Sequence, residues 1–137
     1  MNVTAASAQT PRPGRDWTRT VKRFLIGLLI TPIILFVLYA WITLNWSYSD
    51  GDRSGYLQKF SRKGWICRTY EGELAMTTVP GTAPVIWEFS VRDEAVAGKM
   101  AHLLGKKVIL HYHEYRHIPT DCFGATDYFV DGVQVAE

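Results

Sequence analysis

The sequence predicts one N-terminal membrane-spanning helix followed by a small, mostly β domain, a five-stranded OB-like barrel with one helix in the order β-β-β-α-β-β. Three observations carry this. Phe24 to Leu44 is an uncharged run of about 21 residues, which at helical rise matches the hydrocarbon core of a bilayer. About 90 residues remain beyond it, enough for one small domain with a modest core. Within them, five strand-like runs and one amphipathic stretch alternate with turns marked by Gly and Pro. That order is the order of an OB-type Greek-key barrel, whose closure hides strand edges. An open α+β sheet with one helix is the alternative.

Residues 1–20 are rich in Ala, Ser, Thr, Pro and Arg without apolar periodicity, and are expected to form a disordered tail. The spanning helix is placed at residues 21–46, with a kink expected near Pro32. Lys22 and Arg23 mark one membrane interface, and Trp41, Trp46 and Tyr48 mark the other, where amphipathic rings favour the headgroup region. Arg12, Arg15, Arg19, Lys22 and Arg23 stand against Asp16 alone on the N-terminal flank. The other flank opens with Asp50 and Asp52 before Arg53. The positive-inside rule then puts the tail in the cytoplasm and the C-terminal domain in the periplasm of a bacterial inner-membrane protein. A cleaved signal peptide is the competing reading. The apolar run is too long for one, and Leu38 lies where a small residue should precede Ala40.

Residues 47–54 read as a polar stalk, and residues 55–137 as the β domain. Asp50, Asp52, Ser54 and Gly55 imitate the opening of an EF-hand loop, but Ser61 occupies the place of the bidentate Glu. Strands are predicted at Gly55 to Phe60 and Trp65 to Leu74, with Ser61 to Gly64 as a hairpin turn. After a loop from Thr77 to Pro84, a third strand covers Val85 to Val91. Asp93 is placed to cap a helix from Glu94 to Leu104, whose Ala95, Val96, Met100, Leu103 and Leu104 form an apolar stripe. Gly105 stops it. Lys106 to Tyr115 and Asp127 to Val135 complete the set, with a loop between them.

The net charge of +2 belongs to the N-terminal flank. Five of the 15 basic residues and one of the 13 acidic ones precede residue 47, leaving ten against twelve and a domain charge of about −2. No basic stripe is left to neutralise phosphates, so nucleic acid is not an expected partner. Cys67 and Cys122, the only cysteines, both fall in the segment expected outside the cytoplasm, where disulfides persist. A disulfide between them is expected; two buried thiols or a metal pair are the alternatives. Closing a loop of about 56 residues stabilises by about 4 kcal/mol on the chain-entropy model.

His111, His113 and His117 form the best metal-like constellation. Positions two apart on a strand share a face, and His117 would arrive from the following turn. The bland reading is a solvated strand edge. Glu71 and Glu73 also share a face and could divide acid and base roles, or be balanced by Lys59 and Arg68 across strands. His102 reads as a boundary residue on the helix, and no nucleophilic triad can be assembled.

The run YSDGDRSGYLQKFSRKGWICRTYEGELAM, then WEFSV, then CFGATDYFV, resembles an uncharacterised group of small single-pass bacterial membrane proteins that often carry the label 6-phosphogluconate dehydrogenase. That label implies a dinucleotide-dependent enzyme. Such a fold needs a Gly-rich turn at a helix N-terminus, and no G-x-G-x-x-G occurs in this chain. The expectation is therefore a non-enzyme without a cofactor, anchored in the lipid bilayer and binding an envelope protein or steadying an envelope complex. Tyr56, Trp65, Tyr70, Trp87, Tyr112 and Tyr115, more aromatics than so small a core needs, motivate that reading. A metal- or small-ligand-binding domain centred on the histidines is the second class.

Overall fold

A computed structural model describes residues 16–76 and 80–137. Residues 1–15 of the expected tail and residues 77–79 of the expected loop lie outside the described residues. The chain divides into two compact units, Met1–Leu38 and Tyr39–Glu137.

Helix α1 covers Asp16–Asn45 and is long and apolar enough to cross a membrane. It begins five residues before the expected start. Asp16 in the first turn complements the positive end of the helix dipole, and the Thr20 hydroxyl donates to the Asp16 carbonyl at 2.9 Å. The helix runs unbroken through Pro32. At its far end the Asn45 amide donates to the Trp41 carbonyl at 2.7 Å. Trp46 and Tyr48 follow the helix and are exposed.

The second unit is a five-stranded sheet with one helix. Its strands are β1 (Ser49–Lys63), β2 (Thr69–Met76), β3 (Val85–Val91), β4 (Lys107–Glu114) and β5 (Tyr128–Val135), and helix α2 (Glu94–Ala101) stands between β3 and β4. The sheet forms a ring in the order β1-β2-β3-β5-β4, with β4 returning to β1. All neighbours are antiparallel except β3 and β5, which meet in parallel through Ser90 and Phe129.

The first strand departs most from the sequence expectation. Residues 49–54, expected as a stalk, are its opening half. They pair with β4 from Ser49↔Glu114 to Ser54↔Ile109, and the second half pairs with β2 up to Lys63↔Thr69. At the changeover, Gly55 is buried, and a Cβ there would lie 2.4 Å from the Ala75 carbonyl oxygen and 2.9 Å from Leu74 Cγ. Only a residue without a side chain lets β1 pass so close to β2. The second expected strand also starts late. Gly64 turns the chain at φ 127°, and Trp65 to Arg68 form a loop in which Cys67 is bonded to Cys122.

Alternation on the strands turns Leu57, Leu74, Trp87, Phe89, Val91, Val108, Leu110 and Val130 inward. Helix α2 adds Val96, Ala97 and Met100 to that core. Its start is fixed by Asp93, whose Oδ1 accepts from the Ala95 N–H at 2.7 Å. It ends earlier than expected, at a cap on His102, so Leu103 and Leu104 lie beyond it. Trp87, Tyr70 and Tyr112 pack in or against the core, correcting the expectation that they are spare surface aromatics. The Arg53 guanidinium sits 4.8 Å from the Trp87 ring centre, 5.2 Å from Tyr112 and 5.4 Å from Tyr128. A cation over three rings on the inner side of β1 ties that strand to β3, β4 and β5.

Gly55→Ala should destabilise the domain by about 1–3 kcal/mol, because a fixed backbone oxygen is in the way. Gly98→Ala on α2, where a Cβ meets nothing within 4 Å, should instead stabilise by up to about 1 kcal/mol. Chemical unfolding of the full chain in mild detergent measures both.

Candidate functional site

Strand β4 points Val108 and Leu110 into the core, so its alternate residues His111 and His113 face outward. Pairing with β1 sets Asp52 opposite His111 and Asp50 opposite His113. On the other side, β5 carries a bulge. His111 pairs with Gly132 and Tyr112 with Val130, which leaves Asp131 as an extra residue. Such an insertion re-aims the local side chain. The carboxylate of Asp131 reaches His113 Nε2 at 3.0 Å, and Asp52 Oδ1 meets His111 Nδ1 at 2.8 Å. The two imidazoles meet edge to face with centres 5.2 Å apart.

One ring nitrogen from each of His111 and His113 and one oxygen of Asp131 lie within 4.8 Å of one another. His117 does not join them. It is exposed, sits at φ 62°, and its carbonyl accepts from the Tyr39 hydroxyl at 3.0 Å. The turn after β4 therefore carries it away from the histidine face, and Asp131 takes the place expected for it. The hydrogen bond that His111 Nδ1 donates to the Asp52 carboxylate raises the His111 pKa above its ordinary value, with further help from the charges of Asp131, Asp52 and Asp50. Asp50 and Asp52 belong to a paired strand, so no calcium-type loop forms there.

Glu71 and Glu73 both border a shallow cavity of about 200 Å³, together with Lys59, Lys63 and Glu88. Their surroundings differ. Glu73 forms an exposed ion pair with Lys59 at 2.6 Å. The Glu71 carboxylate accepts from the Thr69 hydroxyl at 2.7 Å, the buried Ser90 hydroxyl at 2.6 Å and the Ala125 N–H at 3.0 Å. With three donors on one carboxylate, Glu71 fastens the loop before β5 to β2 and β3. His102 is the exposed C-cap of α2.

The same loop is tied a second time by the Cys67–Cys122 disulfide, whose Cα atoms are 5.0 Å apart. Between Gly64 and Cys67, Trp65 is 97% exposed and Ile66 is 91% exposed. Arg62, Lys63 and Arg68 flank them in sequence and are exposed too. Of the residues expected at membrane interfaces, Lys22, Arg23 and Trp41 lie exposed on α1, and Trp46 is exposed just beyond it. Tyr48 packs its ring under the Arg116 guanidinium, 3.5 Å from the centre.

These features define a class: a small one-helix β-sheet ring with an outward His–Asp face and a disulfide-tied apolar loop, preceded by a long apolar helix. Residues 46–135 match the family described as a domain of unknown function, DUF8785. The chain belongs to that family. No curated protein and no solved structure gives a significant match.

His111 should titrate above the ordinary imidazole range in a proton NMR titration, and Asp52→Asn should return it downward. The sign for stability follows from a raised folded pKa: the pair's contribution is complete below the unfolded-state pKa and is lost as pH rises through the folded one.

Proposed function

We propose that this chain is a single-pass inner-membrane protein that holds a non-catalytic, OB-like barrel domain in the periplasm, where it docks another envelope protein. The observation that carries the docking role is the loop Gly64–Arg68. A tryptophan and an isoleucine side chain held almost wholly in water cost free energy that burial in a partner would recover, at about 25 cal/mol per Å². Isolated exposed apolar residues are ordinary, but this pair is adjacent, and the disulfide limits the ordering entropy that binding must overcome. Trp is also the residue most enriched among energetically dominant contacts. The cations Arg62, Lys63 and Arg68 around it favour a partner with an apolar groove rimmed by acidic residues.

The membrane and periplasm parts of the reading rest on separate support. The apolar length of α1, the basic N-terminal flank and the disulfide all fit an anchor with its following domain in an oxidising compartment. Export would place a disulfide-tied docking loop among envelope proteins.

A phosphatase reporter fused after Glu137 should be active, and activity confined to cytosolic reporters would overturn the topology. A photo-crosslinking residue at Ile66 in native membranes should capture a protein of defined mass. Trp65→Ala should reduce capture roughly tenfold or more, the loss of a dominant contact of 2 kcal/mol or so. Capture of lipid alone, or capture unchanged by the substitution, would remove the docking role. Nucleotide binding by the chain would favour a dehydrogenase instead.

A further inference from the structure

We propose that His111, His113 and Asp131 form a binding site for a divalent transition metal of the zinc class. This site is independent of the docking loop. Its donor set is two imidazole nitrogens and one carboxylate oxygen, all within 4.8 Å. Ligands around tetrahedral zinc, at bonds of about 2.0–2.1 Å, stand about 3.4 Å apart. His113 Nε2 and Asp131 Oδ2 are already 3.0 Å apart, so one partly exposed imidazole, His111, has to turn a little to complete the set.

The fold prepares this set in three ways. The ring fixes the two histidines on one face of β4, and the bulge in β5 brings Asp131 over them. Asp52 holds the His111 ring through Nδ1, the arrangement in which a carboxylate orients a metal-bound imidazole and raises its basicity. Imidazole ligands exclude calcium and magnesium, which require oxygen, and favour zinc or its neighbours. Three protein ligands leave a fourth position for water or for a donor from another molecule.

The experiment is zinc titration by calorimetry on the full chain in mild detergent, purified without a polyhistidine tag. One zinc per chain should bind, with no heat from calcium. Asp131→Asn, nearly isosteric and on an exposed side chain, should weaken binding roughly tenfold or more, as should His113→Ala. His102→Ala and His117→Asn should leave it unchanged, the Asn tolerating the positive φ of residue 117. Circular dichroism confirms that each variant is folded. Silence of the folded wild-type chain at sub-millimolar zinc would overturn the site, as would equal affinity in Asp131→Asn or equal loss in His117→Asn.

Discussion

The constraint on which the rest of the domain depends is the double pairing of β1. One 15-residue strand serves two neighbours, β4 along its opening half and β2 along its closing half. Without the first pairing, β4 would present an open edge and the sheet could not return on itself. The core needs this return, because Leu57 from β1, Leu74 from β2, Phe89 from β3 and Val108 from β4 meet in one buried cluster. The histidine face needs it equally, since Asp52 reaches His111 through the same ladder.

A second level of organisation lies in the loop between β4 and β5. Its chain is too polar and too rich in turn residues to form a strand of its own. It is held instead by two unlike ties, the covalent one from Cys122 to Cys67 and the polar one from Ala125 and Thr126 to Glu71 and Ser90. Between them they attach it to β2, to β3 and to the loop before β2. In a domain with so small a core, each such tie matters beside a total stability of order 5–15 kcal/mol. Beside the covalent tie, Trp65 and Ile66 lie outside the ladder and in solvent.

Much of the element order was legible, because it rests on local pattern. Val85–Val91 was readable to the residue from its apolar run and the prolines that precede it, and Asp93 from its position before an apolar stripe. The cysteine pair was legible from number and expected compartment. The opening of β1 was not. Ser-Asp-Gly-Asp-Arg-Ser-Gly has a loop's composition, and its ladder exists because β4 supplies partners some 60 residues away. The site was half legible for the same reason. His111 and His113 share a face by strand periodicity alone, whereas Asp131 joins them through a bulge whose position depends on register. His117, nearer in sequence, lies outside that cluster, and its turn has a positive φ that nothing in the local composition announces.

By itself, then, the sequence determined a long apolar helix, five strands and one helix in order, and a bonded cysteine pair, since hydropathy, periodicity and residue chemistry act over a few positions. The tertiary structure alone decided that the sheet closes into a ring, that a polar stretch becomes a strand, and that an aspartate from β5 meets two histidines from β4. Those outcomes are settled by hydrogen-bond register between distant segments, and register is a property of the pair and of neither strand alone.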